Sequence, residues 1–144
     1  MVGTDGSHYA NNAAERAAEL QKNWKSEIVI FHSTNHHKLH PSLYPDKEFP
    51  QEIYNNIEDL SKEAGKEILK NIEGIFDKSI SPVKTRLIEK EDPEDYISRV
   101  VEEEGFDLVV IGSRGHHSKI KELLLGTVST NVSKSCPCDV LIVR

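Results

Sequence analysis

The sequence predicts an α/β fold, a single doubly wound domain with a five-stranded, mainly parallel sheet and helices on both faces. Continuous β-branched apolar runs, typical of strands buried on both faces, alternate along the chain with segments of helical period. No linker or internal repeat interrupts this alternation, so residues 1–144 are expected to form one domain. Because crossovers between parallel strands are right-handed, this alternation predicts a doubly wound sheet, with ligands beyond the strand ends. The expected strand order is 3-2-1-4-5.

The N-terminal segment predicts a short strand, a turn and a helix. Residues 1–3 give only a short strand, and Thr4-Asp5-Gly6-Ser7 is a helix-start signature in which Asp5 or Ser7 caps the helix. The buried face of that helix is expected to be small, so that it lies close to the sheet: Ala10, Ala13, Ala14, Ala17, Ala18 and Trp24. Residues 27–33 then read as a buried strand.

Residues 34–50 are irregular and carry His36, His37 and His40 together with three prolines. A segment of this length in a compact domain is usually functional or mobile. Histidines at i, i+3 and i+4 suit zinc when they lie on a helix, but proline argues against a helix here. Both a metal site and a solvated loop therefore stay open.

A long amphipathic helix is expected from Gln51, with Gly74 as its stop. One apolar stripe is expected to face the core: Ile53, Ile57, Leu60, Ala64, Ile68 and Ile72. The following strand candidate, residues 82–88, alternates polar and apolar residues and begins at a proline, which suits the edge of a sheet.

The next helix has clear signals at both ends. Asp92 is expected at the N-cap, Pro93 at the first helical position and Gly105 at the end. Its buried face is expected to contain Ile97, Val100 and Val101. The remaining elements are expected to be an inner strand at 106–111, short helices at 118–125 and 127–135, and a last strand at 140–143.

Composition excludes several classes of protein. The formal net charge of -6 argues against a general nucleic-acid binder, and no apolar run reaches the roughly 20 residues of a membrane helix. The two cysteines, Cys136 and Cys138, make a disulfide framework improbable, which favours the cytoplasm. As a C-x-C pair they could complete a metal site only with distant ligands; the alternative is two small residues packed near a helix end.

The functional centre is predicted where the apolar run 109–111 ends in Gly112-Ser113-Arg114-Gly115, followed later by Gly126-Thr127-Val128-Ser129. Glycines permit close approach of a ligand, and a helix N-terminus offers N–H groups to an anion. Asp5, at the end of the first strand, is expected to face this loop. The common G-x-x-x-x-G-K-[ST] and G-x-G-x-x-G phosphate loops are absent from the sequence.

Together with Thr4-Asp5-Gly6-Ser7 and the C-terminal Cys136-Pro137-Cys138-Asp139 segment, these glycines make the whole chain resemble the universal stress protein family. Its nucleotide-binding branch carries a G-x2-G-x9-G-[ST] motif for ATP. The resemblance implies a site for ATP with Mg²⁺ built from Gly3, Thr4, Asp5, Ser33, Ile111, Gly112, Ser113, Gly115, Gly126, Thr127, Val128 and Ser129. The glycine loops and the hydroxyl residues after Gly126 would contact phosphates and ribose, and Gly3, Thr4 and Asp5 the adenosine end.

Two positions depart from the family pattern. The spacer between Gly115 and Gly126 has ten residues rather than nine, which raises the question of whether Gly126 still lies opposite Gly115. Ser33 stands where the family commonly has a valine beside the adenine. The nearby cations Arg114 and Lys119 are either phosphate contacts or solvated charges. His116 and His117 would need an in-line water to act as general bases, and the sequence gives no support for one.

The predicted function is that of a cytoplasmic ATP-binding regulatory or stress-response protein. Family resemblance further implies a homodimer through the last strand, Val140 to Val143, whose apolar edge suits pairing. An enzyme is not expected, since the sequence offers no Walker lysine and no convincing catalytic base. The alternatives are a nucleotide-free dimeric scaffold of the same fold and a slow ATPase.

Overall fold

The computed structural model describes residues 1–35, 51–116 and 125–144, and these contain five strands and four helices. In chain order the elements are β1 (Val2–Gly3), α1 (His8–Trp24), β2 (Ile28–Ser33), α2 (Gln51–Glu73), β3 (Val83–Ile88), α3 (Pro93–Glu104), β4 (Leu108–Gly112), α4 (Thr127–Ser135) and β5 (Asp139–Val143).

The strands form one sheet in the order β3-β2-β1-β4-β5, and every neighbouring pair is parallel. This confirms the predicted α/β fold and strand order. The central strand β1 is only two residues long, but both of its edges are paired, with Val2 opposite Ile30 of β2 and Val110 of β4. As a result, the turn after β1 begins between the ends of β2 and β4.

Helices cover both faces of the sheet and enclose two clusters of buried side chains. On one face the alanines of α1 pack with Leu69 and Ile72 of α2. On the other face, residues of α3 pack with Val132 of α4 and with Phe31. The apolar runs of β2 and β4 are buried because both of their faces are covered.

Helix α1 begins where the sequence indicates, with Ser7 at its N-cap, but its buried face ends differently from the prediction. The prediction for Trp24 was wrong, because this side chain lies in the last turn and is 66% exposed. The buried stripe ends instead at Gln21, which is fully buried. Its amide donates to the carbonyl of Asp77 and the hydroxyl of Ser81, so burial leaves these polar atoms paired.

The buried face of α2 also differs from the prediction. Leu60 is 70% exposed and Ala64 is exposed, whereas Gly65, Leu69 and Ile72 are buried. A Cβ atom at Gly65 would lie 2.6 Å from Leu87 Cδ1, so the helix crosses the sheet at this glycine. The prediction was based on apolar side chains alone. It therefore did not identify the observed buried face of α2, which is centred on the close backbone contact at Gly65.

Helices α3 and α4 and the two edge strands follow the prediction closely. Helix α3 has Asp92 at its N-cap, Pro93 at its first position and Gly105 at its end with φ 69°. The Asp92 carboxylate does not cap the helix, because it accepts a hydrogen bond from the Asn35 side chain at 2.6 Å. The predicted helix over 127–135 is α4, and β3 and β5 lie at the two edges of the sheet.

Several predictions fall on residues 36–50 and 117–124, which lie outside the described residues. They are the metal or loop alternatives for His36, His37 and His40, the contacts of His117 and Lys119, and most of the short helix predicted at 118–125. In the described part of the chain, no helix combines the length and apolar character needed to span a membrane.

Candidate functional site

A cavity of about 780 Å³ opens at the carboxyl ends of β1, β2 and β4, next to the N-termini of α3 and α4. It therefore lies beyond the strand ends, where parallel α/β sheets bind their ligands. Eleven of the twelve predicted site residues line it: Gly3, Thr4, Asp5, Ser33, Ile111, Gly112, Gly115, Gly126, Thr127, Val128 and Ser129.

Asp5 joins the end of β1 to the loop that follows β4. Its Oδ1 accepts a hydrogen bond from the backbone N–H of Ser7, and its Oδ2 accepts one from the backbone N–H of His116, both at 3.0 Å. The first bond closes the turn before α1, and the second spans 111 positions of sequence. Asp5 and the loop after β4, which were predicted to face one another, are thus joined by a hydrogen bond.

Glycine is required at two positions of the loop after β4. A Cβ atom at Gly115 would lie 2.5 Å from Asp5 Oδ2, which is closer than real Cβ atoms come to any neighbour. At Gly112 it would lie 2.7 Å from the backbone carbon of Tyr9 and 2.8 Å from the backbone nitrogen of Ala10. Gly112 thus lets α1 pack directly on β4, and Gly115 lets the loop pass over Asp5.

Gly126 lies against this loop despite the ten-residue spacer. Its N–H donates to the carbonyl of Ser113 at 2.8 Å, and a Cβ built on it would be 3.4 Å from Arg114 Cα and 3.9 Å from Gly115 N. The additional residue therefore does not separate the two glycine segments.

The N-terminus of α4 faces the cavity without a side-chain cap. Its N-cap residue is Gly126, and no side chain of a described residue accepts a hydrogen bond there. The hydroxyl of Ser129 instead donates to the carbonyl of Gly112 at 2.8 Å, which fixes the helix to the end of β4. Helix α1 differs in this respect, because the Ser7 hydroxyl accepts from the N–H of Ala10. Uncapped N–H groups at a helix N-terminus form a binding site for an anion.

An apolar wall completes the opposite side of the cavity and was not predicted from the sequence. Phe31 from β2 and Pro93 and Ile97 from α3 face Val128 of α4 and Ile111 of β4. Phe31 also packs on Tyr96, with ring centroids 4.9 Å apart. A sequence signal existed, since Phe31 adjoins the end of a predicted strand and Pro93 opens a predicted helix, but neither residue type by itself indicates a ligand.

Ser33 and His32 use their polar atoms within the protein. The Ser33 hydroxyl donates to the carbonyl of Glu91 at 2.8 Å and accepts from the N–H of Asn35 at 3.2 Å. The ring N–H at Nδ1 of His32 donates to the carbonyl of Thr4 at 2.8 Å. Because its hydroxyl is bonded to the β3–α3 connection, Ser33 adds little unpaired polarity to the apolar side of the cavity.

Ser113 is the predicted site residue that does not line the cavity. Its side chain is 1% exposed, and its Oγ lacks a hydrogen-bond partner among the described residues. Its backbone nonetheless takes part in the loop, since its N–H donates to the carbonyl of Val143 at 2.6 Å and its carbonyl accepts from Gly126. The contribution of Ser113 to the cavity is therefore that of the backbone.

The charges around the cavity are few. Apart from histidines, Asp5 and Arg114 are the charged side chains among the described lining residues. The described part of the chain holds no group of three or more side chains suited to a metal ion. Cys136 and Cys138, with sulfur atoms 3.6 Å apart, pack against the second core cluster at the end of α4. The site thus combines an apolar wall with N–H donors and one guanidinium, which suits a flat apolar group bearing an anion.

Comparisons with known proteins match the whole chain. A family model described as the universal stress protein family matches residues 1–144. The chain is 33% identical over 150 residues to the universal stress protein YxiE of Bacillus subtilis, covering 100% of this chain and 97% of that protein.

Two solved structures are similar over nearly the whole chain. One is a universal stress protein in complex with cAMP, at 26% identity and a TM-score of 0.64, covering 99% of this chain and 93% of the other. The second is a family member from Arabidopsis thaliana with AMP bound, at 20% identity and a TM-score of 0.65, covering 99% and 88%.

Proposed function

The chain belongs to the universal stress protein family, and from the site just described we propose that it binds an adenine nucleotide, ATP with Mg²⁺. We further propose that it works as a regulatory or stress-response protein of the cytoplasm, in which binding changes conformation or assembly.

The observation that carries the proposal is the uncapped N-terminus of α4 beside the glycine loop after β4. The N–H groups of the first turn, at Thr127, Val128 and Ser129, would donate to phosphate oxygens. Each hydrogen bond to a charged phosphate contributes about 1.5–3 kcal/mol, and the helix dipole contributes about 0.3–1 kcal/mol. Three or four such bonds in a preorganised loop suffice for about micromolar affinity, near -8 kcal/mol.

The apolar wall supports an aromatic base as the other half of the ligand. Phe31, Pro93 and Ile97 would pack against the flat face of adenine, while the backbone near Gly3, Thr4 and Asp5 would bind the adenosine end. A cavity of about 780 Å³ falls within the range of small-molecule sites. The complex of a 26% identical family member with cAMP supports the choice of an adenine nucleotide.

Magnesium would arrive with the nucleotide rather than bind to a protein cage. The described lining residues include one carboxylate, Asp5, which already accepts two backbone N–H groups. Magnesium is usually held by one or two carboxylates plus substrate phosphates and water, and it neutralises part of the phosphate charge when bound.

Calorimetric titration of Mg-ATP into the purified protein tests the proposal. We expect saturable binding of one nucleotide per chain with about micromolar affinity. If no saturable heat is seen at millimolar nucleotide, the proposal is wrong. The alternative of a nucleotide-free dimeric scaffold would then be favoured. Release of phosphate over hours of incubation, absent from a matched Gly115→Val sample, would instead favour the slow ATPase.

A homodimer through β5 is a second part of the proposal. This strand lies at the edge of the sheet, and within the described residues no strand pairs with its outer edge. Val140, Leu141, Ile142 and Val143 are each only partly buried. Pairing with a second copy would cover this apolar edge, which otherwise favours aggregation. Sedimentation equilibrium of the wild type and of a Leu141→Lys variant measures the oligomeric state. A monomeric wild type would contradict the proposed dimer.

A further inference from the structure

Arg114 is held in a defined position at the cavity by Tyr9, which lies in the first turn of α1. The guanidinium carbon of Arg114 lies 5.4 Å from the centre of the Tyr9 ring, and Nη1 donates to the Tyr9 hydroxyl at 3.4 Å. A guanidinium over an aromatic face is attracted by the ring's quadrupole. The two residues are 105 positions apart in the sequence, so only the fold brings them together.

The backbone of Arg114 is held between two helix N-termini. On one side the Ser7 hydroxyl, at the N-cap of α1, donates to the carbonyl of Arg114 at 3.4 Å. On the other side Gly126, at the N-cap of α4, approaches so closely that its built Cβ would lie 3.4 Å from Arg114 Cα. The side chain extends to the α1 side, where Tyr9 lies. The guanidinium thus lies against the first turn of α1.

Arg114 supplies the permanent positive side-chain charge of the described cavity lining. The other charged group there, Asp5, repels phosphate and is bonded to two backbone N–H groups. A guanidinium presents a planar fork of N–H donors that matches a phosphate group in a bidentate geometry, and stacking on an aromatic ring orients that fork in advance. The charge and the orientation of the guanidinium both suit a phosphate on the α1 side of the loop.

We propose that Arg114, positioned by Tyr9, binds the terminal phosphates of the nucleotide and makes the site selective for triphosphates over monophosphates. This inference rests on the proposed nucleotide function. In this arrangement the N–H groups of α4 bind the first phosphate of any adenine nucleotide. Only a longer phosphate chain extends to Arg114, so the affinity gained at the guanidinium is specific to the triphosphate.

The test compares Mg-ATP with AMP in calorimetric titrations of the wild type, Arg114→Gln, Arg114→Lys and Tyr9→Leu. In the wild type we expect ATP to bind about tenfold or more tightly than AMP. Arg114→Gln is expected to weaken ATP by about tenfold and to leave AMP unchanged, so that the ratio approaches one. Arg114→Lys keeps the positive charge but loses the planar set of N–H donors, and Tyr9→Leu keeps the guanidinium but removes the ring that orients it. In both variants the ratio of ATP affinity to AMP affinity should lie between those of the wild type and Arg114→Gln.

Arg99→Gln, on the outer face of α3 and paired with Glu91 and Glu103, is the matched control and should leave both affinities unchanged. Thermal unfolding of each variant verifies that the chain is folded. Equal affinity of the wild type for ATP and AMP would overturn the inference, as would an Arg114→Gln variant that loses both ligands by the same factor. If the folded wild type binds neither nucleotide, the proposed function itself fails, and this outcome is distinct from equal binding of the two.

Discussion

The carboxylate of Asp5 accepts a hydrogen bond from the backbone N–H of His116 at 3.0 Å, and Gly115 passes directly over that carboxylate. This contact connects the ends of β1 and β4, which are neighbouring strands at the centre of the sheet. It fixes the course of the glycine loop before any ligand is bound. A preorganised loop loses less conformational entropy on binding, so the Asp5 contact bears directly on nucleotide affinity.

Replacing Gly115 by alanine is expected to displace the loop and weaken nucleotide binding. The added methyl group would lie 2.5 Å from Asp5 Oδ2, so either the carboxylate or the loop must move. We expect a loss of at least about tenfold in Mg-ATP affinity by calorimetry. Gly74→Ala is the matched control, because Gly74 is exposed at the end of α2 and does not line the cavity. Equal affinities of the two variants would contradict this role of Gly115.

Replacing Ser7 by alanine is expected to destabilise the fold through the loss of a helix cap. The Ser7 hydroxyl accepts from the N–H of Ala10 at 3.2 Å and donates to the carbonyl of Arg114. Loss of an N-cap of this kind costs about 1 kcal/mol, within a range of about 0.5–2 kcal/mol, measurable by urea denaturation. Ser133→Ala, on the exposed face of α4, should change the free energy of unfolding by less than about 0.5 kcal/mol. Equal losses in the two variants would exclude the capping role.

The Arg86–Glu104 ion pair is expected to make stability depend on pH in the acid range. Two hydrogen bonds from the Arg86 guanidinium, at 2.6 and 2.7 Å, hold the pKa of the Glu104 carboxyl below its usual value. Since the folded pKa is the lower one, the pair contributes stability above the unfolded pKa, and this contribution is lost as the pH falls through the folded pKa. The pair is partly exposed, so its contribution should stay below about 1 kcal/mol.

Urea denaturation of the wild type and Glu104→Gln across the pH range measures this contribution. The difference in free energy of unfolding should be constant above about pH 5.5 and should shrink as the pH falls through the lowered pKa of folded Glu104. Glu102→Gln, at an exposed position of the same helix, serves as the control. A difference that grew toward acid pH would have the wrong sign.

The thiol of Cys138 is expected to react slowly at neutral pH. Burial, reinforced by the hydrogen bond with Cys136, raises the pKa of Cys138 to about 11. Because the thiolate is the reactive form, its alkylation by iodoacetamide should still be accelerating at about pH 10. In the urea-unfolded chain the rate should level off above about pH 9, as for an ordinary thiol. Peptide mass spectrometry measures the alkylation rate of Cys138 in the folded protein. A rate that levels off near pH 9 would contradict the raised pKa.

Local signals in the sequence predicted the elements well where they were unambiguous. Asp92, Pro93 and Gly105 defined α3 correctly, because caps act within a few residues of the helix ends. The buried faces of α1 and α2 were harder to predict, since burial depends on partners distant in sequence. Gln21 is buried because Asp77 and Ser81 satisfy its amide, and no local pattern contains that information.

In the candidate site, too, some residues could be predicted from the sequence and others could not. The glycines and the start of α4 could be located because they form a motif on the chain itself. The apolar wall of Phe31 and Ile97 could not, because it forms only when α3 packs over the end of β2. The orientation of the Arg114 side chain could not be predicted from the sequence either, because it depends on Tyr9, which is 105 positions away.

The measurement that tests the central claim most directly is an amide chemical-shift map of the ¹⁵N-labelled protein during a titration with Mg-ATP. We predict saturable shifts at the backbone N–H groups of Gly112, Gly115 and the first turn of α4, Thr127 to Ser129. The amides at the far end of α3 and those of the last turn of α2 should be unaffected. Unchanged α4 amides at saturating nucleotide, or shifts confined to another surface, would contradict a nucleotide site in this cavity.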